Sequence, residues 1–227
     1  MEFNDEVFLR QLTTFFFENE IVPNENILDR LTSYAELLVQ KNKVVNLISR
    51  KDVEHLAENH IFISAYIAKF IPEKCSTFID IGTGGGLPGI PVSIMKPEMK
   101  GILVDSISKK IIAVGEFIDK LMLSNVKTEN DRVEQPEFIM KYYNHFDLAL
   151  SRGTVPLDTL VKYALPVVKQ KSFIMSIKGG NINVEIDKMN ENFNHIVKKC
   201  TVFELNYKPT NIKNIKEKKL VLLEINK

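Results

Sequence analysis

The chain has 227 residues, 44% of them hydrophobic and 26% charged, with a net charge of +1. That balance excludes a disordered or fibrous chain, and the length is enough to fold without a disulfide or metal staple. Two cysteines, Cys75 and Cys200, are too few for a disulfide framework, no run approaches the roughly 18 apolar residues of a membrane span, and the acidic start Met1-Glu2-Phe3-Asn4-Asp5-Glu6 is unlike a secretory signal, so a cytoplasmic protein is expected.

Taken in chain order, residues 1–72 read as a helical extension. Ile27, Leu28, Leu31, Tyr34, Leu37 and Leu38 recur at helical spacing. The run Phe15-Phe16-Phe17 reads as core packing, since a base-stacking platform would interleave with lysines. Asp52 is placed to cap a helix carrying Val53, Leu56, His60, Ile63 and Ile67 on one side, with His60 read as a hydrogen-bonded core residue, and Pro72 closes the block. From residue 73 to 227 short apolar runs alternate with helical stretches. Strands are predicted at 77–81, 101–105, 126–128, 146–150, 172–177 and 220–225, with helices opening near Pro88 and covering roughly 108–122 and 157–168. This alternation implies an α/β fold, a doubly wound, mainly parallel Rossmann-like sheet whose ligand lies at the carboxyl ends of the strands. Chemistry is therefore expected near residues 80–89, 105, 131–134 and 151–152.

The most informative segment is Asp80-Ile81-Gly82-Thr83-Gly84-Gly85-Gly86-Leu87-Pro88-Gly89. Glycines straight after a strand let the backbone turn and approach a ligand with no Cβ in the way. Gly84, Gly86 and Gly89 satisfy a G-x-G-x-x-G pattern, so a dinucleotide is one reading. Against it, the Asp80 charge would oppose a pyrophosphate, and Pro88 lacks the N–H that an anion site at a helix start uses. No Gly-Lys-Ser/Thr follows, which excludes a nucleoside triphosphate loop. S-adenosylmethionine carries an ammonium and a sulfonium and no phosphate, so Asp80 favours it. Asp105, ending the second strand, is placed to accept hydrogen bonds from a ribose, which suits either nucleoside.

These residues resemble a known family. Asp80-Ile-Gly-Thr-Gly-Gly-Gly-Leu-Pro-Gly-Ile-Pro91, Leu103-Val-Asp-Ser106 with Lys109-Lys110, Arg132-Val-Glu134, Ser151-Arg152 and Lys178-Gly-Gly180 resemble the bacterial glucose-inhibited-division protein B family, the guanine-N7 methyltransferases of small-subunit (16S) ribosomal RNA. Asn46-Leu-Ile-Ser-Arg50 and His60 with Ser64 are also similar to its N-terminal part. The resemblance covers roughly residues 30 to 227. It implies a class I methyltransferase sheet behind the helical extension, with S-adenosylmethionine contacted by Gly82 and Leu87, its adenine flanked by Val133 and Glu134, and Arg152 at the cofactor and target-base side; Gly84 and Gly86 of the loop, with Asp80 and Asp105, are expected at the same cofactor site. It further implies that Lys178, Lys218 and Lys219 face RNA phosphate. Four positions depart from the family's usual residues: Asn59 for arginine, Ile63 for aspartate, Leu87 for phenylalanine and Ser108 for glycine.

The remaining residues bear on the methyl acceptor. Pyrimidine carbon-5 methylation needs a thiolate near the cofactor, and neither cysteine lies at a predicted strand end. Exocyclic-amine methylation commonly uses an Asn/Asp-Pro-Pro-aromatic loop, where this chain has Ser151-Arg152-Gly153-Thr154-Val155-Pro156. Metal-assisted oxygen methylation needs ligands that no His/Asp/Glu cluster offers. Guanine N7 carries an unprotonated in-plane lone pair and needs positioning, which Arg152 can supply, unless it pairs with a carboxylate such as Asp147. The C-terminal part suits RNA: residues 151–227 hold fourteen bases and seven acids, with Lys162, Lys169, Lys171 and Lys178 in one group and Lys208, Lys213, Lys216, Lys218 and Lys219 in another. The reading is a metal-free, monomeric enzyme acting on 16S ribosomal RNA in the small ribosomal subunit, with no membrane partner. A small-molecule methyltransferase and a non-catalytic dinucleotide-binding regulator remain as alternatives.

Overall fold

The computed structural model describes residues 3–205 and 217–227. Its first two helices, α1 (Asp5–Glu18) and α2 (Glu25–Asn42), begin at asparagines. Asn4 Oδ1 accepts from the Val7 N–H and Asn24 Oδ1 from the Ile27 N–H, each at 2.9 Å, satisfying donors that a helix start leaves open. Leu12, Phe15 and Phe16 of α1 and Leu31, Tyr34 and Leu38 of α2 are buried, whereas Phe17 is 75% exposed. A run of short turns follows: a 3-10 turn (Arg50–His55), a π-turn (Ala57–Phe62), α3 (Ile63–Tyr66) and a second 3-10 turn (Ile67–Phe70). Asp52 does not cap a helix here. It lies inside the first 3-10 turn, and its carboxylate faces His60 Nε2 at 3.6 Å.

Among the described residues the sheet has seven strands: β1 (Thr77–Ile81), β2 (Lys100–Val104), β3 (Val126–Glu129), β4 (Phe146–Arg152), β5 (Val168–Lys178), β6 (Val197–Glu204) and β7 (Lys219–Asn226). Their order is β3-β2-β1-β4-β5-β7-β6. The first five pair in parallel, and β7 runs antiparallel between β5 and β6. The connecting helices are α4 (Gly89–Met95), α5 (Ser108–Lys120), α6 (Pro136–Tyr142), α7 (Leu157–Ala164) and α8 (Asn183–Phe193). Strand alternation divides the interior into two layers. Phe78 of β1 packs with α2, α4 and α5, whereas Ile79 and Ile81 pack with α6 and α7. Asp80 shares the Phe78 face, which brings its carboxylate under the first turn of α4. The helices before residue 72 belong to the same cluster as Phe78, Ile90 and Leu103, so extension and sheet share one core. Among the described residues no helix is long and apolar enough to cross a membrane.

Candidate functional site

The carboxyl ends of β1, β2 and β4 open onto two adjoining cavities. The larger, about 550 Å³, is lined by Leu47, Ile48, His60, Gly82, Thr83, Gly84, Gly85, Leu87, Asp105, Ser106, Ile107, Lys110, Arg152, Gly153 and Thr154. The smaller, about 230 Å³, includes Asp131, Arg132, Val133 and Glu134, and shares Gly82, Asp105, Ser106 and Thr154 with the first. Together they form a cleft in the size range of small-molecule sites. A separate cavity of about 360 Å³, lined by residues such as Thr77, Lys100 and Phe146, lies at the opposite, amino ends of the strands.

The glycine loop is bound almost wholly to its own surroundings. The N–H groups of Gly82 and Thr83 both donate to Val104 O at 2.9 Å, and those of Gly86 and Leu87 to Thr83 O at 2.9 Å. The Gly84 N–H donates to Asp105 Oδ2 at 3.0 Å and the Gly89 N–H to Asp80 Oδ2 at 2.9 Å. Gly82 has φ +70°, and a Cβ there would lie 2.4 Å from the Thr154 methyl, so only glycine fits. Thr154 is fixed in turn by Ser151, whose Oγ lies 2.6 Å from its hydroxyl and donates to Ile81 O at 3.0 Å. From the other side, the buried Tyr34 hydroxyl donates to Gly85 O at 2.8 Å, tying α2 to the loop. Asn42 Oδ1 accepts from the N–H groups of Leu47 and Ile48 at 2.8 and 3.0 Å, which sets that turn against the cleft.

Of the residues singled out in the sequence, Gly82, Gly84, Leu87, Asp105, Val133, Glu134 and Arg152 line the cleft. Asp80 and Gly86 do not. Asp80 is fully buried; its Oδ2 accepts from the Thr83 hydroxyl at 2.6 Å as well as from Gly89, while Oδ1 has no hydrogen-bond partner. Burial pushes this carboxyl up to about 7, despite those two bonds. Asp80 therefore organises the loop from beneath, where the sequence reading had it facing the ligand. Arg152 does not pair with Asp147. The Asp147 carboxylate binds Lys169 at 2.7 Å, and against the cost of burial Lys169, Ser76 and Thr77 hold it below the usual carboxylate range. The Arg152 guanidinium donates instead to Asn59 O at 2.8 Å and Ser64 Oγ at 3.2 Å, and lies 3.0 Å from His60 Nδ1.

The lysines expected to face phosphate turn inward. Lys178 is buried, and its Nζ donates to Val155 O at 2.5 Å and pairs with Glu185 at 2.9 Å. Lys218 is buried, with Nζ 2.6 Å from Asn59 O. Lys219, half-buried, donates to Gly180 O at 3.0 Å. A buried ammonium needs such partners, and here carbonyls of the loops after β4 and β5 and of the π-turn meet that need. Lys208, Lys213 and Lys216 lie outside the described residues. Burial pushes the Cys75 thiol up to about 11, in keeping with an inert core residue.

The family model for rRNA small subunit methyltransferase G (GidB) matches residues 27–216. The chain belongs to this family. A ribosomal RNA small subunit methyltransferase G of Chlorobaculum tepidum is 40% identical over 170 residues, covering 74% of this chain and 76% of that one. One from Clostridium perfringens is 33% identical over 166 residues, covering 72% and 69%. Among solved structures, an S-adenosylmethionine-dependent O-methyltransferase from Thermotoga maritima gives a TM-score of 0.59 at 11% identity, over 91% of this chain and 73% of that one. An rRNA methylase from Streptococcus thermophilus gives 0.51 at 15%, over 75% and 98%. At such identities the structural likenesses establish the Rossmann-like methyltransferase fold and nothing finer. In this chain Thr154, Leu47, Ile48 and Lys110 join the cleft without having been singled out individually as site residues. The Asn46–Arg50 motif was the one signal that could have found Leu47 and Ile48.

Proposed function

We propose that the chain transfers a methyl group from S-adenosylmethionine to N7 of one guanine in small-subunit ribosomal RNA. The observation that carries the choice of cofactor is where the loop's amides point. Six of them, from Gly82, Thr83, Gly84, Gly86, Leu87 and Gly89, are engaged within the protein, whereas a pyrophosphate loop turns such donors toward its ligand. A cleft edged by Asp105, Asp131 and Glu134 fits a cationic, phosphate-free nucleoside. Asp105 borders both cavities, where a ribose would lie between them, and the buried Val133 offers an apolar wall for an adenine. When bound, the cofactor supplies the electrophilic methyl, which passes to the base as the carbon–sulfur electron pair stays on sulfur.

The acceptor reading follows from what the protein offers. Guanine N7 presents its lone pair without losing a proton, so no general base is required of these residues. Arg152, held at the edge of the larger cavity, supplies donors suited to guanine O6 while N7 faces the methyl. Holding the two reactants in line supplies the catalysis, a gain of roughly 7–11 kcal/mol in well-oriented cases. The same reading makes the enzyme a cytoplasmic monomer that meets its RNA within a ribosomal particle. The test is transfer of labelled methyl to small ribosomal subunits from a strain lacking the activity, followed by aniline cleavage at 7-methylguanine. Label in the RNA and scission at one guanine are expected. Label confined to small molecules overturns the RNA reading, and heat of binding with NAD but not S-adenosylmethionine overturns the cofactor.

A further inference from the structure

We infer that His60 is the positioning residue that sets Arg152 against the acceptor base; the inference rests on the function proposed above. A guanidinium has donors only, so the 3.0 Å contact between Arg152 Nη2 and His60 Nδ1 has a single direction. Arg152 donates, His60 Nδ1 is bare, and the ring proton sits on Nε2, on the side of Asp52 Oδ2 at 3.6 Å. The imidazole is buried and borders the larger cavity, so its orientation is set by packing. The surrounding backbone is a π-turn, Ala57–Phe62, a form that concentrates at functional sites. From that turn and the one after it come three acceptors for one guanidinium: Asn59 O, His60 Nδ1 and Ser64 Oγ. Arg152 is thus aimed by the helical extension, although it is anchored at the end of β4. A ring turned over would bring Nε2–H against the guanidinium N–H and release that aim.

The two amide replacements of His60 separate positioning from filling space. The asparagine oxygen of His60→Asn lies where Nδ1 was, whereas that of His60→Gln lies near Nε2. With small ribosomal subunits as substrate, His60→Asn is expected to keep kcat within about threefold and His60→Gln to lose roughly 10- to 100-fold, the scale of a misplacement near 1 Å. Affinity for S-adenosylmethionine, read by calorimetry, is expected to agree within about twofold between the two variants, so that a difference in kcat between them belongs to the base. Equal losses in the two variants, or losses confined to KM, overturn the inference. A second measurement does not depend on turnover: the imidazole ¹⁵N spectrum of the full chain. A bare, hydrogen-bonded Nδ1 is expected, with its shift altered in Arg152→Ala. A protonated Nδ1, or a spectrum indifferent to Arg152→Ala, overturns the inference even if the RNA proves not to be the substrate. Wild-type enzyme that leaves the subunits unlabelled while showing the expected spectrum instead refutes the proposed function alone.

Discussion

Asp80 is a fully buried carboxylate at the end of β1. Its carboxyl is pushed up to about 7 by burial, from an ordinary value of 3.8. A raised acid is protonated in the folded state while the unfolded chain has already released its proton, so stability falls as pH rises between those two values and levels off above the upper one. Between pH 5.5 and 8 the loss is about 2 kcal/mol. Urea unfolding at the two pH values measures it, and Asp80→Asn is expected to remove that share of the pH dependence, because the amide oxygen can still accept from Thr83 and Gly89. An unchanged pH dependence in the variant contradicts this account. The sequence marked Asp80 as important but placed it on the wrong side of the loop. Period-two alternation from Phe78 would have put it on the α4 face. The same limit applies to Lys178 and Lys218: charge in a basic stretch is visible in sequence, whereas the carbonyls and Glu185 that draw those ammonium groups inward are brought by other elements.

At the scale of elements, legibility followed local chemistry. β1, the glycine loop, β2 and β4 are short apolar runs ended by glycine or acid, and the structure has them within a residue or two of the predicted bounds. β6 was not predicted. Val197-Lys-Lys-Cys-Thr-Val-Phe-Glu204 is an edge strand with much of its length exposed, and its apolar alternation is diluted by lysines. Helix α8 buries only Met189, so no apolar stripe announces it. Arg152 was found by motif, but its partners lie 88 to 93 residues away along the chain, beyond any local pattern. The loop itself yields a test. Gly82→Ala places a Cβ 2.4 Å from the Thr154 methyl at φ +70°, a strain of roughly 1–3 kcal/mol. Calorimetry with S-adenosylmethionine should show affinity reduced at least about tenfold, since strain of 1.4 kcal/mol expressed at the site is already tenfold. Wild-type affinity would refute the loop as the cofactor's floor.

For the whole molecule, the sequence reading drew a boundary at residue 72, and the packing runs straight across it. Phe16, Leu31 and Leu38 share a cluster with Phe78, Ile90 and Leu103, and Tyr34 braces Gly85. Removing residues 1–72 therefore uncovers one face of the sheet, and the remaining fragment is expected to lack a cooperative thermal transition by circular dichroism. A sharp melt of residues 73–227 alone would show that the boundary separates independent units. The sheet order carries a further consequence, for the protein's own synthesis. Because β7 lies between β5 and β6, the strand made sixth has no neighbour, and the fifth keeps one bare edge, until Lys219–Asn226 has left the ribosome. Lys218, which reaches Asn59 beside Arg152, emerges in the same moment. The seventh strand of the sheet and the Lys218–Asn59 contact beside Arg152 are thus completed together, after the glycine loop and the rest of the scaffold have been made.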